Sequence, residues 1–187
     1  SSVLCKAWQP AEPPTRLPVL AVPDGPYLVQ TEAEALGEFE HQLTALASSG
    51  VKLLRVPILD DILELNQLHR RMAFAEFAQE HADVYPRYKD LYRPRTREII
   101  ELGQTVGEYE LADARANRGR LRDELEARMA EVGTDLWICP PALGPAPKGI
   151  EATGDPNMNL PWTHAGMPAI TLPSGRSKKG LPLGLQL

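Results

Sequence analysis

Residues 17–56 constrain this chain more than any other stretch. Residues 17–22 are a short, mostly apolar run, and Pro23-Asp24-Gly25-Pro26 has the composition of a turn. Residues 31–49 then carry a helical period, with Leu36, Phe39, Leu43 and Leu46 three or four residues apart on one face. Thr31 with Glu34 three positions on reads as a capping box, and Gly50 stands where a helix ends on glycine. Residues 51–56 are a second apolar run. A strand, a helix and a strand in that order favour a parallel pair joined by a crossover, not an antiparallel hairpin. The expected fold class is therefore α/β: a mixed, mostly parallel sheet flanked by helices.

The rest of the chain fits that expectation. Residues 60–82 read as a long helix, with Ile62, Leu65, Leu68, Met72, Ala75 and Phe77 as its apolar stripe. Residues 95–102 form a short helix stopped by Gly103. Residues 108–132 form the longest, with Leu111, Ala114, Leu121, Leu125, Met129 and Val132 on its stripe. Arg118 is the misfit there, read as a snorkelling side chain or a helix-to-loop ion pair. Glu124 and Arg128 are spaced for a helical ion pair of about 0.2–0.5 kcal/mol. Further strands are expected at 135–139, 168–172 and 183–187. The prolines cluster in loops at 10–26, 140–147 and 156–182. No composition break divides the chain, so 1–187 reads as one partial domain with an irregular leader over 1–16. Its last apolar run is cut short at Leu187, as in a piece of something longer.

Composition excludes several function classes. A net charge of −5 argues against a nucleic-acid partner, and Arg176, Lys178 and Lys179 read as a solvated hairpin tip. No run reaches the roughly 18 apolar residues of a membrane span. Two cysteines cannot make a disulfide framework. Cys139 in an apolar strand reads as a small buried hydrophobe, Cys5 sits in the leader, and the compartment expected is reducing, most simply cytoplasm.

The densest chemistry lies between residues 153 and 175. The order T-G-D-P-x-x-N-x-P-W-T-x-x-G-x-P-A-I-T-x-P-x-G begins as a turn-rich loop and sets into a strand, and G-x-P-x-G-x-Q-L follows. This pattern resembles the C-terminal part of the amidase signature enzymes. The match is strong over 153–187 and looser back through Asp135-Leu136-Trp137-Ile138-Cys139-Pro140. The resemblance implies a serine hydrolase that cleaves a carboxamide, with a nucleophilic serine, a bridging serine and a lysine in an upstream Gly/Ser-rich segment. None of that segment is in this chain. The resemblance also implies no cofactor. The partners expected are a small-molecule amide, the absent N-terminal half of the same enzyme and, as one oligomeric state, a homodimer. Two alternatives stand beside it: a non-catalytic structural or interaction domain on the same fold, and an amidotransferase amidase subunit. The amidotransferase subunits carry an acidic residue about ten positions before the glycine that is Gly166 here. Pro156 occupies that place with Asp155 beside it, and the T-G-D-P start resembles stand-alone amidases more closely.

The residues themselves offer no nucleophile. Ser177 next to Lys178 is the tempting pair, but nothing around it would desolvate the lysine enough to make it a base. His69 and His81, twelve residues apart on one helix, point about 120° apart and cannot share an ion. His164 reads as a wall or hydrogen-bonded residue. No catalytic or metal-binding residue is therefore assigned within the chain. Loops at strand ends are where a parallel sheet binds ligands. The substrate-wall candidates are accordingly Pro141, Ala142, Asp155, Asn159, Trp162 and Thr163. Asp155 reads more simply as an Asx-turn residue. Trp162 is expected near the rim of the cavity, where its loss would change KM more than stability.

Overall fold

The computed structural model describes residues 14–187. Residues 1–13, which hold most of the expected leader together with Cys5, lie outside the described residues. The first strand, β1 (Val19–Asp24), is the centre of a parallel sheet of order β2-β1-β3, with β2 (Lys52–Pro57) on one side and β3 (Leu136–Trp137) on the other. Helix α1 (Pro26–Val29) and helix α2 (Ala33–Ser48) form the crossover between β1 and β2. The strand–helix–strand reading holds.

β1 runs two residues past its expected end and includes Pro23, although a proline in a central strand removes a ladder donor. The pairing explains why it is tolerated. Asp135 and Ile138 donate their N–H groups to the carbonyls of Val19 and Ala21, so the odd-numbered residues of β1 face β3. The β1–β3 register ends at Ala21 with Trp137. The N–H that Pro23 lacks would point to a side where the ladder has already stopped.

The other two strands form an antiparallel hairpin, β4 (Thr171–Arg176) and β5 (Pro182–Gln186), with an irregular register between Pro173 and Gly175. The expected strand end at Pro173-Ser174-Gly175 is thus a bulge inside β4, which suits a proline on an outer strand. Cys139 and Gln186 exchange backbone hydrogen bonds of 3.0 and 2.9 Å, which couples the hairpin to the end of β3. The whole is a parallel sheet and an antiparallel hairpin joined by that bridge and flanked by helices.

Helix α3 (Ile62–Glu80), helix α4 (Tyr85–Tyr88) with the 3-10 turn after it, helix α5 (Pro94–Gly103) and helix α6 (Glu108–Val132) follow. Their apolar stripes are largely as read, though Phe77 is exposed and Ala78 takes its place. The main core joins Leu20, Ala21, Val22, Phe39, Ile62, Leu125, Ile138 and Cys139, among others. Two smaller cores, one of Met72, Ala75, Leu111 and Ala114 and one of Ala78, Tyr85 and Ile100, lie farther along α3.

Two local expectations are corrected. Thr31 caps nothing: Glu32 holds the N-cap position without a side-chain bond, and the Thr31 hydroxyl points to the Met158 sulfur at 3.6 Å. Burial of Thr31 against the later loop overrides the local motif. Arg128 pairs with Glu131, three residues after it, at 2.6 Å, and not with Glu124, four residues before it. Gly103 ends α5 as read, but it also sits inside the helix contact with α3.

Asp135 anchors the start of β3. Its two oxygens take Arg16 at 2.6 Å each, and one also accepts the Val19 N–H at 2.8 Å. The Arg16 hydrogen bonds, then the Val19 N–H, pull its carboxyl down to about 2. The stabilisation is present above the ordinary aspartate value of about 4 and is lost as pH falls through the depressed value. Asp135→Asn is expected to flatten the fall in melting temperature between pH 4 and pH 2. An unchanged slope in the variant would show that other carboxylates carry it.

Candidate functional site

The loop after β3 and the T-G-D-P stretch meet at the carboxyl ends of β1 and β3. Tyr27, just past the end of β1, is fully buried; its hydroxyl donates to the Met158 carbonyl at 2.8 Å and accepts from the Trp162 indole at 3.1 Å. Burial raises the Tyr27 hydroxyl well above its ordinary value, so it stays protonated and able to donate. The Asn159 side-chain amide donates to the Pro141 carbonyl at 2.8 Å, tying the two loops together.

What reads as loop contains a further helix, α7 (Leu160–Ala165), ending on Gly166 in the left-handed conformation at φ 66°. The signal was present in L-P-W-T-H-A-G, which places a proline in the first turn and a glycine after the last. Six residues are too few to show a period.

Helices α3 and α6 hold this segment at several points. Arg118 donates to the His164 carbonyl at 3.1 Å, and Arg122 to those of Ala165 and Gly166 at 2.8 and 2.7 Å. The misfit arginine of the α6 stripe is therefore a helix-to-loop contact, through a carbonyl and not an ion pair. Two cations at the carbonyl end of α7 also complement its dipole. Arg70 on α3 donates to Asp155 at 3.0 Å and to Asn157 at 2.6 Å, and Asp155 accepts the Asn157 N–H at 2.9 Å. The Asx-turn reading of Asp155 is correct.

His164 is fully buried, with Nδ1 3.1 Å from Nδ1 of His69 and Nε2 3.1 Å from Oδ1 of Asn117. Burial, then the neighbouring His69 and Arg118, lowers it to about 4; burial, then Arg118 and Arg70, lowers His69. Helical spacing separates His69 from His81 and is silent on His69 with His164, because 95 residues lie between them and they sit on different helices. Among the described residues no group of three or more His, Cys, Asp or Glu side chains is placed to hold a metal.

The six wall candidates do not converge on one cavity. Asp155 lines an open cleft of about 730 Å3 with Glu32, Glu34, Lys148, Ser177 and Lys179. Trp162 lines a separate apolar cavity of about 110 Å3 with Trp137, Cys139, Met167 and Leu187. It is only 5% exposed and belongs to the main core, so it stands inside the fold and not at a rim. Pro141 and Asn159 are half-buried and joined to each other, while Ala142 and Thr163 are exposed. Cys139 is buried as expected, and burial pushes its thiol up to about 11, which keeps it unreactive.

Three serines are committed to local structure. The Ser177 hydroxyl accepts the Leu181 N–H at 3.1 Å inside the hairpin turn. Ser48 and Ser49 donate to helix carbonyls at 2.9 and 2.7 Å. Among the described residues no serine hydroxyl is hydrogen-bonded to a basic side chain.

An α/β sheet of this order, with a proline-rich loop and short helix over its carboxyl edge, is an arrangement seen in known proteins. The family model for amidases matches residues 8–187, and the chain belongs to the amidase signature family. It is 32% identical over 106 residues to a glutamyl-tRNA(Gln) amidotransferase subunit of Picosynechococcus, covering 51% of this chain and 22% of that protein. It is 31% identical over 121 residues to AmiD of Mycobacterium tuberculosis, covering 59% of this chain and 25% of that protein. A crystal structure of an amidase superposes with a TM-score of 0.81 at 25% identity, over 92% of this chain and 41% of that one. The chain thus spans about a quarter of the length of the curated relatives it matches. Among the described residues no helix is long and apolar enough to cross a membrane.

Proposed function

We propose that this chain forms the substrate-wall half of a serine amide-hydrolase site whose nucleophile, bridging serine and lysine are supplied from outside it. The observation that carries this reading is the amidase family match, which runs through the loop lying over the carboxyl ends of the parallel strands. In the reaction, the serine oxygen attacks the amide carbon and its proton passes through the relay to the departing amine. Water then releases the carboxylate and returns the proton to the serine. This chain's part is to wall and orient the substrate through the loops that carry Pro141, Ala142, Asp155, Asn159 and Thr163, with Trp162 packed in the core. The exposed Ile170 and Leu172 beside the outer edge of β4 support a junction there with the rest of the enzyme.

Asp155 favours a stand-alone amidase over an amidotransferase subunit. Its carboxylate is already engaged by Arg70 and the Asn157 N–H, which commits it to the loop.

The test is an assay of this chain on aliphatic and aromatic amides, alone and joined to the family's Gly/Ser-rich segment. No turnover is expected alone, turnover is expected when joined, and Ser177→Ala should leave the joined rate unchanged. Turnover by the chain alone that vanishes in Ser177→Ala would overturn the assignment.

A further inference from the structure

The polar contacts that fix α7 have one member that can change with pH, and it is buried. Asn117 Oδ1 can only accept, so the His164 Nε2 beside it carries a proton. In the neutral ring His164 Nδ1 is then a bare acceptor. His69 Nδ1, at 3.1 Å, must be the donor, which leaves the open nitrogen of His69 on its Nε2. The tautomers of both rings follow from one amide.

We propose that His69 is a positioning residue: its Nδ1–H donates to His164 and latches α7 to α3, and a second proton in the pair breaks the latch. The latch itself is independent of the amide-hydrolase reading; only its bearing on catalysis rests on that reading.

A first proton adds at His69 Nε2, and the Nδ1–H···Nδ1 bond survives as an imidazolium–imidazole contact. A second must add at His164 Nδ1, the acceptor itself. Both nitrogens then carry protons facing each other, the bond is gone, and two cations share a buried site. The charges around the pair are mostly of the same sign. On α3, Arg70 opposes protonation and Glu76 favours it; on α6, Arg118 opposes it. Arg70 and Glu76 are each already paired, with Asp155 on the loop and Arg115 on α6. Arg122 adds another cation at the α7 terminus. No carboxylate hydrogen-bonds either ring among the described residues, so nothing nearby offsets the second charge.

The pair also occupies the joint where three helices meet. His69 belongs to α3, Asn117 to α6 and His164 to α7, two residues from Trp162 and five from Asn159. The same arginines hold the α7 carbonyls in either protonation state, because a guanidinium does not titrate in this range. Of the polar side-chain contacts that α3 and α6 make to residues 160–166, only the histidine one is lost on acidification, so the expected event is a local release of residues 158–166 and not global unfolding.

The experiment uses the full protein and two readouts. Nitrogen-15 NMR of the imidazoles reads the tautomers at pH 7: Nδ1–H on His69 and Nε2–H on His164 are expected. Hydrogen exchange of residues 158–166, corrected for intrinsic rate, reads the latch between pH 7 and pH 4. In the wild type, protection of this segment should fall about tenfold across that range, while β1 and β2 keep theirs. His69→Ala should show that loss already at pH 7, the scale expected when a buried acceptor loses its donor. His69→Gln, whose amide can still donate, should keep most of the protection at pH 7. An Nε2–H tautomer on His69, or exchange in His69→Ala equal to wild type at pH 7, overturns the proposal. So does a fall in protection shared equally by β1 and β2. If the latch behaves as stated but no amide is hydrolysed by the assembled enzyme, the functional reading fails and the latch stands.

Discussion

Gly103→Ala is expected to lower stability by about 3 kcal/mol, a fall of about 6–12 °C in melting temperature for a chain of this size. A methyl placed on Gly103 would lie 2.0 Å from the Phe74 carbonyl oxygen, 2.5 Å from its carbon and 2.9 Å from the Ala78 Cβ. Two of those three atoms are backbone, so α3 and α5 would have to move apart. The helix propensity of alanine offsets only about 1 kcal/mol of that cost. Gly119→Ala is the control. It lies on the exposed side of α6 with nothing within 4 Å of the added carbon, and the same substitution there should stabilise by about 0.5–1 kcal/mol. Thermal or urea unfolding of both variants decides the matter. A Gly103→Ala protein as stable as wild type would mean that the helices are not in backbone contact.

Trp162→Ala should cost about 3–5 kcal/mol, the range for removing a buried aromatic side chain. The ring is packed edge-on to Tyr27 with centroids 5.8 Å apart and lies 6.3 Å from Trp137. Its loss would enlarge the existing apolar cavity and remove the indole donor from the Tyr27 hydroxyl. Trp162→Phe keeps most of the volume and should cost about 1 kcal/mol for the lost hydrogen bond. Equal stability of Trp162→Ala and wild type, with kinetics changed, would return the residue to the rim expected from sequence.

The fold was legible wherever a period repeated often enough to be counted. Helix α6 begins and ends where its spacing says, and α2, α3 and β2 shift by a residue or two. What local pattern could not show was partner choice. Thr31 and Glu34 look like a cap, yet Thr31 is drawn under the later loop. Pro23 looks like a turn and is a strand residue, because the ladder beside it had ended. The site was legible as a motif and not as a geometry. T-G-D-P and P-W-T marked the right segment, but its contacts with His69, Arg70, Asn117 and Arg122 span 43 to 95 residues of chain. Arg118 alone announced itself, as a charge on an apolar stripe.

Helix α3 joins two mechanical regimes. Its first turns are fixed in the main core through Ile62 and Leu65, and its far end packs in the small cores with α5 and α6. Its 19 residues span about 28 Å, and His69 lies about 10 Å from the fixed end. On a rigid helix pivoting at that end, a displacement would scale with distance from the pivot. A push of 1 Å at the tip arrives at His69 as about 0.4 Å by this 1.5 Å-per-residue geometry. That is enough to lengthen a hydrogen bond at α7 without disturbing the sheet. Sequence change or contact at the distant helical tip can thus be geared down into fine adjustment of the loop.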